Sequence, residues 1–449
     1  MKIYLLIGCL LSTLAGQISA SEPNLPAGEL KHLLQEVQSM RAEYEARLKA
    51  LEDRLLIAEQ KAQDAEIITT DLEESVEELA FAPTANQALS RPGDFNPEIG
   101  LVMVGSVQHI DSSGGTAEIP GFVLGDETDL GEQGLSVGES DFVLSGNVDD
   151  KFYASMTLAV SKDEGVVLEE GYLQTLALGG GFNIKAGRFF SSIGYMNENH
   201  LHTDDFSGRP LPYRAMLGNQ YADDGLQLSW LAPTELYWKL DAEVFRGDEF
   251  PAGGAVGGAG AWTLSSHWGG SIGDLHSWQA GVSLLHTEID SRETGEDPIE
   301  VFTGDSELYI ADFVYKWAPA NNRSLKIQGE YFYREEDGLF ALQDSTALTY
   351  FGDQKGWYLE AVYQPFQKWR GGIRHSQVSS DDLSFGFGGT RLDRQDHRPS
   401  QNSVMVEWSN SEFSRIRLQY NHDQSLPQSV DIWTLQYIMS IGAHSAHSY

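Results

Sequence analysis

Apolar and polar residues alternate with a period of two through most of the chain after residue 98. The run Lys151–Val160, KFYASMTLAV, places apolar residues at every second position, and the runs Leu325–Arg334 and Trp433–Ile441 do the same. Side chains of a β-strand point alternately to its two faces. The pattern therefore predicts strands that have one apolar and one polar face.

Sixteen such strands can be counted, separated by turn residues. Their predicted bounds are 98–109, 135–147, 150–161, 166–178, 182–190, 222–231, 235–246, 259–269, 275–289, 305–318, 323–335, 355–365, 368–377, 401–410, 413–422 and 430–441. Links such as 147–150 and 411–412 are short, whereas 111–133, 191–221 and 379–399 are long. Short turns on one side and long loops on the other are typical of an outer-membrane barrel. We predict an all-β, transmembrane, antiparallel β-barrel, with a soluble β-sandwich or β-helix as the alternative.

A period of seven residues governs residues 28–80. Leu30 begins one apolar series at this spacing, and Leu34 begins a second series that is offset by four. Two such series form the seam of a coiled coil. We predict an N-terminal α-helical, periplasmic coiled coil over 28–80, with a single amphipathic helix as the alternative. A proline-bearing linker follows at 81–97, and the barrel takes 98–449.

Residues 1–20 have the three parts of a secretory signal. Lys2 supplies a positive start, Ile3–Leu14 an apolar core and Ser19-Ala20 a cleavage site with small residues. A membrane anchor is the alternative, but the core is shorter than the roughly 20 residues that a transmembrane helix needs. Cys9 is the single cysteine. Cleavage removes it, so disulfide and thiolate chemistry are not expected in the mature protein.

Composition and charge narrow the class of protein further. The 46 Gly, 10 Trp, 18 Tyr and 20 Phe suit short strands, turns and aromatic girdles. The formal net charge of −36 argues against a nucleic-acid partner. A barrel strand crosses a bilayer with about 9–11 residues, of which only half are apolar, so the chain needs no long apolar run. We expect the outer membrane of a Gram-negative bacterium, with lipid as the partner of the outer face.

One segment resembles a known family. Residues 166–195 read VVLEEGYLQTLALGGGFNIKAGRFFSSIGY, which resembles a strand–turn–strand signature of the phosphate-selective porin (O and P type) family. The resemblance implies a sixteen-stranded, homotrimeric porin whose pore an infolded loop narrows. The chain has few lysines, whereas that family lines its pore with lysine and arginine, so the solute stays open. The matching residues are Glu169, Glu170, Gly171, Tyr172, Leu173, Ile184, Gly187, Phe189 and Gly194.

A second stretch, residues 197–225, is similar to proteins described as zinc-regulated outer-membrane receptors, and so is the ending GAHSAHSY. That resemblance implies metal uptake. A TonB-dependent receptor also has a 22-stranded barrel and an N-terminal plug, for which this chain is too short.

Charged residues mark a candidate pore. If 191–221 folds into the barrel, its acids face basic residues of later strands and set a transverse field, and charged rings of this kind select ions. The alternative is that the arginines extend to the periplasmic rim of the barrel or form ion pairs there. The candidate pore residues are Arg188, Glu198, Asp204, Asp205, Arg209, Arg214, Arg370, Arg374, Arg415 and Arg417.

Four histidines are candidate metal ligands. His200 and His202 lie on one side of an extended segment with carboxylates near them, and His444 and His447 form a second pair. Imidazole with carboxylate suits zinc, although histidines in a polar loop are often simply solvated. No other cofactor is expected. No cysteine nucleophile is expected in the mature chain, and the sequence has no H-E-x-x-H helix, so we do not expect an enzyme.

The sequence therefore favours a porin that lets small hydrophilic solutes or ions diffuse passively. A zinc-linked uptake channel or receptor is the first alternative. The second is a structural tether, in which the coiled coil reaches the cell wall and the barrel serves as its anchor.

Overall fold

The computed structural model describes residues 97–442, except for 112–117, 126–130, 132, 162–164, 177, 254–257, 296–298, 320–321, 343–345 and 382–385. The predicted signal peptide and coiled coil lie outside the described residues. The same holds for the linker up to residue 96 and for the pair His444 and His447.

Within the described residues, seventeen strand segments form one antiparallel sheet. They are β1 (Glu98–Ile110), β2 (Gly134–Val137), β3 (Ser140–Asn147), β4 (Phe152–Ser161), β5 (Gly165–Thr175), β6 (Phe182–Phe190), β7 (Ala222–Leu231), β8 (Tyr237–Phe245), β9 (Ala261–Ile272), β10 (His276–Thr294), β11 (Glu300–Trp317), β12 (Ser324–Leu342), β13 (Leu348–Phe366), β14 (Trp369–Ser380), β15 (Ser400–Ser411), β16 (Ser414–Gln424) and β17 (Val430–Gly442).

The sheet closes on itself because β1 pairs with β17 on one side and with β2 and β3 on the other. The segments β2 and β3 together occupy one strand position of the barrel, and Gly138 and Glu139 interrupt the strand between them. The barrel therefore has sixteen strand positions, and the predicted all-β antiparallel barrel and its strand count are confirmed.

The two faces of the wall are the reverse of those in a water-soluble protein. Outward-facing Leu226, Phe313 and Ile373 are 60%, 47% and 62% exposed, whereas inward-facing Glu330 and Arg334 are 4% and 0% exposed. A soluble protein buries its apolar residues and rarely buries charge. An apolar outer face around a polar interior is the arrangement of a transmembrane β-barrel.

The two rims of the barrel differ. The turn rim carries short connections, such as those after β3, β13 and β15, and both ends of the barrel sequence. The loop rim carries the long connections, and β10 to β13 extend to 18 or 19 residues there. Exposed aromatic residues lie towards both rims, as interfacial girdles do. They include Phe366, Trp369 and Phe413 at the turn rim and Trp262, Phe351 and Trp433 towards the loop rim.

Residues 191–221, here called the internal segment, join β6 to β7. The segment contains a 3₁₀ turn at Leu201–Thr203 and one helix, α1 (Leu211–Leu217), which contacts β13 and β14. Proline at the first turn favours the start of α1, and Gly218, with φ +61°, ends it in the left-handed conformation. All seven residues of α1 are buried. Among the described residues, no helix has the length and apolar character to cross a bilayer.

Candidate functional site

The Asn197 side chain and one backbone hydrogen bond, from the Ser191 N–H to the Tyr221 carbonyl at 3.1 Å, close the base of the internal segment. The Nδ2 of Asn197 donates to the backbone carbonyls of Ser191 and Tyr221, at 2.8 and 2.9 Å. Its Oδ1 accepts from the Tyr221 N–H at 2.8 Å. The two ends of the segment are thus joined where it leaves and re-enters the wall.

Glu330 of β12 binds the middle of the segment. Its carboxylate accepts hydrogen bonds from the Tyr195 N–H at 3.1 Å, the Tyr213 hydroxyl at 3.0 Å and the Tyr358 hydroxyl at 2.6 Å. The neighbouring Gly194 has φ +64°, and a Cβ there would lie 2.4 Å from Glu330 Oε2. Only glycine fits this close approach.

Further contacts run from one side of the barrel to the other. Because the segment meets inward-facing residues of β8 and of strands as distant as β16, it lies in the barrel interior. The wall residues that it contacts include Glu243 of β8, Ser265 of β9, Ser283 of β10, Ser376 of β14, and Gln419 and Asp423 of β16.

The acids of the segment meet a basic part of the wall in direct contact. Asp205 lies 2.5 Å from both Lys326 Nζ and Arg370 Nη1. Glu407 then pairs with Arg370 at 2.6 Å and with Arg417 at 3.0 Å. The prediction placed acids and bases across a narrow gap. At Asp205 the structure differs, because acid and base form ion pairs that attach the segment to the wall.

Arg415 and Arg417 also bind the segment's backbone. Arg417 Nη2 donates to the Asp204 carbonyl at 2.6 Å, and Arg415 donates to the His202 carbonyl. Arg417 is 1% exposed, whereas Arg415 keeps 16% of its side chain exposed and lines a cavity of about 470 Å³ near the turn rim.

Three other predicted pore arginines are buried among the segment's own contacts. Arg209 pairs with Asp204 at 2.6 Å and donates to the carbonyls of Met196 and Asn199. Arg214 lies 3.4 Å from Asp423. Arg374 stacks on Phe206, at 4.5 Å from the ring centre, and lies 3.9 Å from Glu360.

The remaining two candidates lie apart from this cluster. Arg188, on β6, pairs with Glu249 at 2.8 Å on the loop side. Glu198 lies 4.0 Å from Lys239 Nζ. Its side chain is 44% exposed, and partial removal from water inside the barrel would raise its pKa, but the nearby ammonium groups of Lys239 and Lys185 lower the pKa below its ordinary value.

The two predicted histidines stack on each other, with ring centres 5.6 Å apart. His200 Nδ1 lies 3.1 Å from Glu169 and Nε2 lies 3.3 Å from Glu170. His202 Nδ1 lies 2.6 Å from Asp141 of β3. The sequence prediction named neither Asp141 nor the glutamates as site residues, although both glutamates belong to the family signature.

A β-bulge explains how two consecutive glutamates reach one imidazole. Thr157 pairs with Glu170 and Leu158 pairs with Leu168, so Glu169 is an extra residue in β5. A bulge breaks the strict alternation of faces and re-aims a side chain. Both carboxylates therefore face His200.

The charge of His200 follows from this setting. Burial would lower its pKa, but hydrogen bonds and the negative charges of Glu169 and Glu170 outweigh burial and raise it well above the ordinary value. Both ring nitrogens then carry protons at neutral pH, and each donates to a different carboxylate.

Two cavities lie on either side of this cluster. The turn-side cavity has a volume of about 360 Å³, and Glu198, His200, Asp205 and Lys326 line it. The loop-side cavity has a volume of about 480 Å³, and Glu169 and Arg188 are among its lining residues. Phe190 borders both cavities. The hydrogen bond from His200 to Glu169 therefore lies at their boundary.

No model of a known protein family matches the chain. An uncharacterized protein of Aquifex aeolicus (strain VF5) is 30% identical over 412 residues, which cover 85% of each chain. Among solved structures, the outer membrane channel DcaP of Acinetobacter baumannii aligns with a TM-score of 0.50 at 11% identity, over 79% of this chain and 100% of that one. An anion-selective porin from Comamonas acidovorans aligns with a TM-score of 0.49 at 9% identity, over 78% and 100%.

The similarity to DcaP concerns the fold alone, whereas the identity to the Aquifex protein extends over most of both sequences. The chain belongs to the same protein family as that Aquifex aeolicus protein, and it has the barrel fold seen in the outer membrane channel DcaP.

Proposed function

We propose that this chain is an outer-membrane porin of a Gram-negative bacterium, through which small hydrophilic solutes or ions diffuse passively. The observation that carries the proposal is the reversed wall, with apolar residues outside a closed barrel and charged residues inside. Lipid solvates the outer face, and a closed barrel leaves no unpaired strand edge in the membrane. The polar interior suits water and solutes. No step of this function is enzymatic.

The internal segment narrows the pore in this proposal. Its contacts with opposite strands divide the interior, and the turn-side and loop-side cavities are successive parts of the path. Charges that line the turn-side cavity and are at least partly exposed, among them Glu198 and Lys326, act on passing ions. Most of the segment's other charges hold it in place.

The finer assignment follows the sequence resemblance. We infer a porin similar to the phosphate-selective (O and P type) family, exported through a cleaved signal peptide and assembled as a homotrimer. The cargo is a small solute or ion of unspecified identity, because the interior holds acids and bases in close pairs rather than a lysine-lined pore.

One second function has an observation in its favour. The contacts of His200 with Glu169 and of His202 with Asp141 place imidazoles and carboxylates at the boundary of the two cavities. A zinc-linked uptake channel would use such groups. The structural tether rests on the heptads of residues 28–80 alone.

Conductance across planar bilayers tests the proposal. The purified, refolded full-length protein is added to one chamber in KCl, and we expect discrete current steps that persist without any added energy source. Folding is checked separately by heat-dependent migration in gels. A correctly folded protein that inserts and gives no steps contradicts the porin proposal and leaves the tether.

A further inference from the structure

We propose that Asp141, Glu169 and His200 bind one divalent transition-metal ion, with zinc preferred, where the internal segment meets the wall. The effect of this site on flow rests on the proposed porin function, because the site lies at the contact that separates the two cavities of the path. The site itself rests on the positions of the three side chains.

The three residues each offer one ligand atom, and these atoms lie within 4.8 Å of one another. One pair among them, His200 Nδ1 and Glu169 Oε2, is 3.1 Å apart. Zinc bonds of about 2.0–2.2 Å in a tetrahedral arrangement separate neighbouring donors by about 3.3 Å. Small side-chain movements are therefore enough to enclose an ion. The donors come from β3, from the bulge in β5 and from the internal segment.

Each of two ligands has a second partner that orients it. Glu170 lies 3.3 Å from His200 Nε2, the nitrogen that would face away from the ion. His202 Nδ1 lies 2.6 Å from Asp141 Oδ2. A metal-bound histidine commonly donates its other N–H to a carboxylate, which fixes its orientation. Glu170 and His202 are thus positioning residues.

An independent observation points to a ligand at the site. Asp141 is 3% exposed, and its Oδ1 has no hydrogen-bond partner among the described residues. Buried carboxylate oxygens are normally partnered. His202, 7% exposed, likewise leaves Nε2 unpartnered within the described residues. A cation bound by Asp141 would satisfy the free oxygen.

The charges and donor types favour a transition metal. Three carboxylates, from Asp141, Glu169 and Glu170, surround the His200 imidazole. A divalent ion compensates this excess of negative charge. Calcium and magnesium prefer sites made of oxygen alone, whereas imidazole together with carboxylate suits zinc. Binding would replace the proton on His200 Nδ1 by the metal.

The position of the site gives it a consequence for flow. His200 lines the turn-side cavity and Glu169 lines the loop-side cavity. An ion held between them ties the internal segment to the wall at the boundary. We therefore expect bound zinc to lower the conductance.

Calorimetric titration of zinc into the refolded full-length protein tests the site. His444 and His447 are first changed to alanine, so that the second histidine pair adds no binding. We expect one zinc ion per chain. Asp141→Asn and Glu169→Gln should each weaken binding at least tenfold, because each removes a ligand charge and keeps the side chain's size.

A matched control uses another carboxylate beside a histidine. Asp431 of β17 lies 2.7 Å from His422 Nδ1 of β16, and neither strand carries a residue of the proposed site. Asp431→Asn should titrate like the parent. Equal titrations of the parent and both ligand variants, or no binding by the parent, overturn the proposal. If heat-dependent migration in gels shows that Asp141→Asn does not fold, the zinc titration of Glu169→Gln alone tests the site.

Binding and conductance can fail separately. A conducting protein that binds no zinc removes the metal site and leaves the porin. A protein that binds zinc at Asp141, Glu169 and His200 but gives no current removes the porin and leaves the site.

Discussion

Gly194 lies so close to the Glu330 carboxylate that no side chain fits between the internal segment and β12. A Cβ at this position would lie 2.4 Å from Oε2 and 2.8 Å from the Tyr213 hydroxyl. Glu330 can therefore bind the Tyr195 N–H and both tyrosine hydroxyls at once. The attachment of the segment to β12 depends on the absence of one methyl group.

Gly194→Ala should loosen the internal segment. The left-handed backbone adds roughly 1–2 kcal/mol for a residue with a Cβ, and the clash with Glu330 adds to it. We expect noisier single-channel current and faster cleavage of the segment by an added protease. Gly208→Ala is the matched control, because a Cβ at 208 meets nothing within 4 Å. Equal current noise in both variants would contradict the role given to Gly194.

Asn197→Ala should open the base of the same segment. It leaves the Ser191 carbonyl and the Tyr221 N–H without the partner that Asn197 supplies, and each unsatisfied buried group costs about 1–3 kcal/mol. We expect a lower thermal midpoint for protection of the segment against protease, while the barrel itself stays folded. Asn410→Ala, at an exposed position of β15, should leave protection unchanged. A barrel that protects the segment equally in both variants argues against the closure by Asn197.

Arg415→Gln should shift ion preference towards cations. Arg415 is partly exposed and lines the cavity near the turn rim, whereas Arg417 is buried and holds Glu407. Changing Arg415 alone thus removes a positive charge from the cavity with less damage to packing than a change of the buried Arg417. The reversal potential across a KCl gradient measures the shift. Arg323→Gln, at an exposed turn, should not move it, and an unmoved potential for Arg415→Gln would count against its place in the ion path.

The ion pairs of Asp205 should give a defined pH dependence. Burial would raise the pKa of Asp205, but the charges of Arg370 and Lys326 outweigh burial and hold it below its ordinary value. The Asp205 carboxylate therefore stabilises the folded state fully at pH values above its unfolded-state pKa of about 3.9. This stabilisation is lost as the pH falls through the folded-state pKa.

The stability lost in Asp205→Asn should therefore stay constant from about pH 8 to pH 5 and shrink below about pH 4. Urea unfolding of the parent and the variant at each pH measures the difference. Asp150→Asn, at an exposed turn, should show no such difference. A loss that grows as the solution becomes more acidic would reverse the assigned sign.

The strands could be predicted because the wall lies between two solvents. Lipid on one side and a polar interior on the other impose a period of two, which the run Lys151–Val160 shows and β4 confirms. The extensions of β10 to β13 were missed. Residues such as Glu293 and Glu335 lie beyond the apolar band, where the outer face is also polar and the alternation disappears.

The candidate site was predicted less completely. The sequence pointed to His200 and to the acids of the internal segment, because their density in one long connection is visible along the chain. It did not indicate Asp141 or the role of Glu169. Their meeting depends on a bulge and on contacts between β3, β5 and a loop, none of which leaves a periodic signal.

The seam of the barrel has a consequence for how the protein is made. Leu101 of β1 pairs with Ile441 of β17, so β1 finds its partner on this side only after the last strand has been synthesised. Contacts of such large sequence separation form slowly, and until they form both edges offer unpaired backbone groups to any neighbouring chain. The unfinished sheet therefore needs protection during its passage to the membrane, and truncation within β17 should yield a product that aggregates rather than a smaller cylinder.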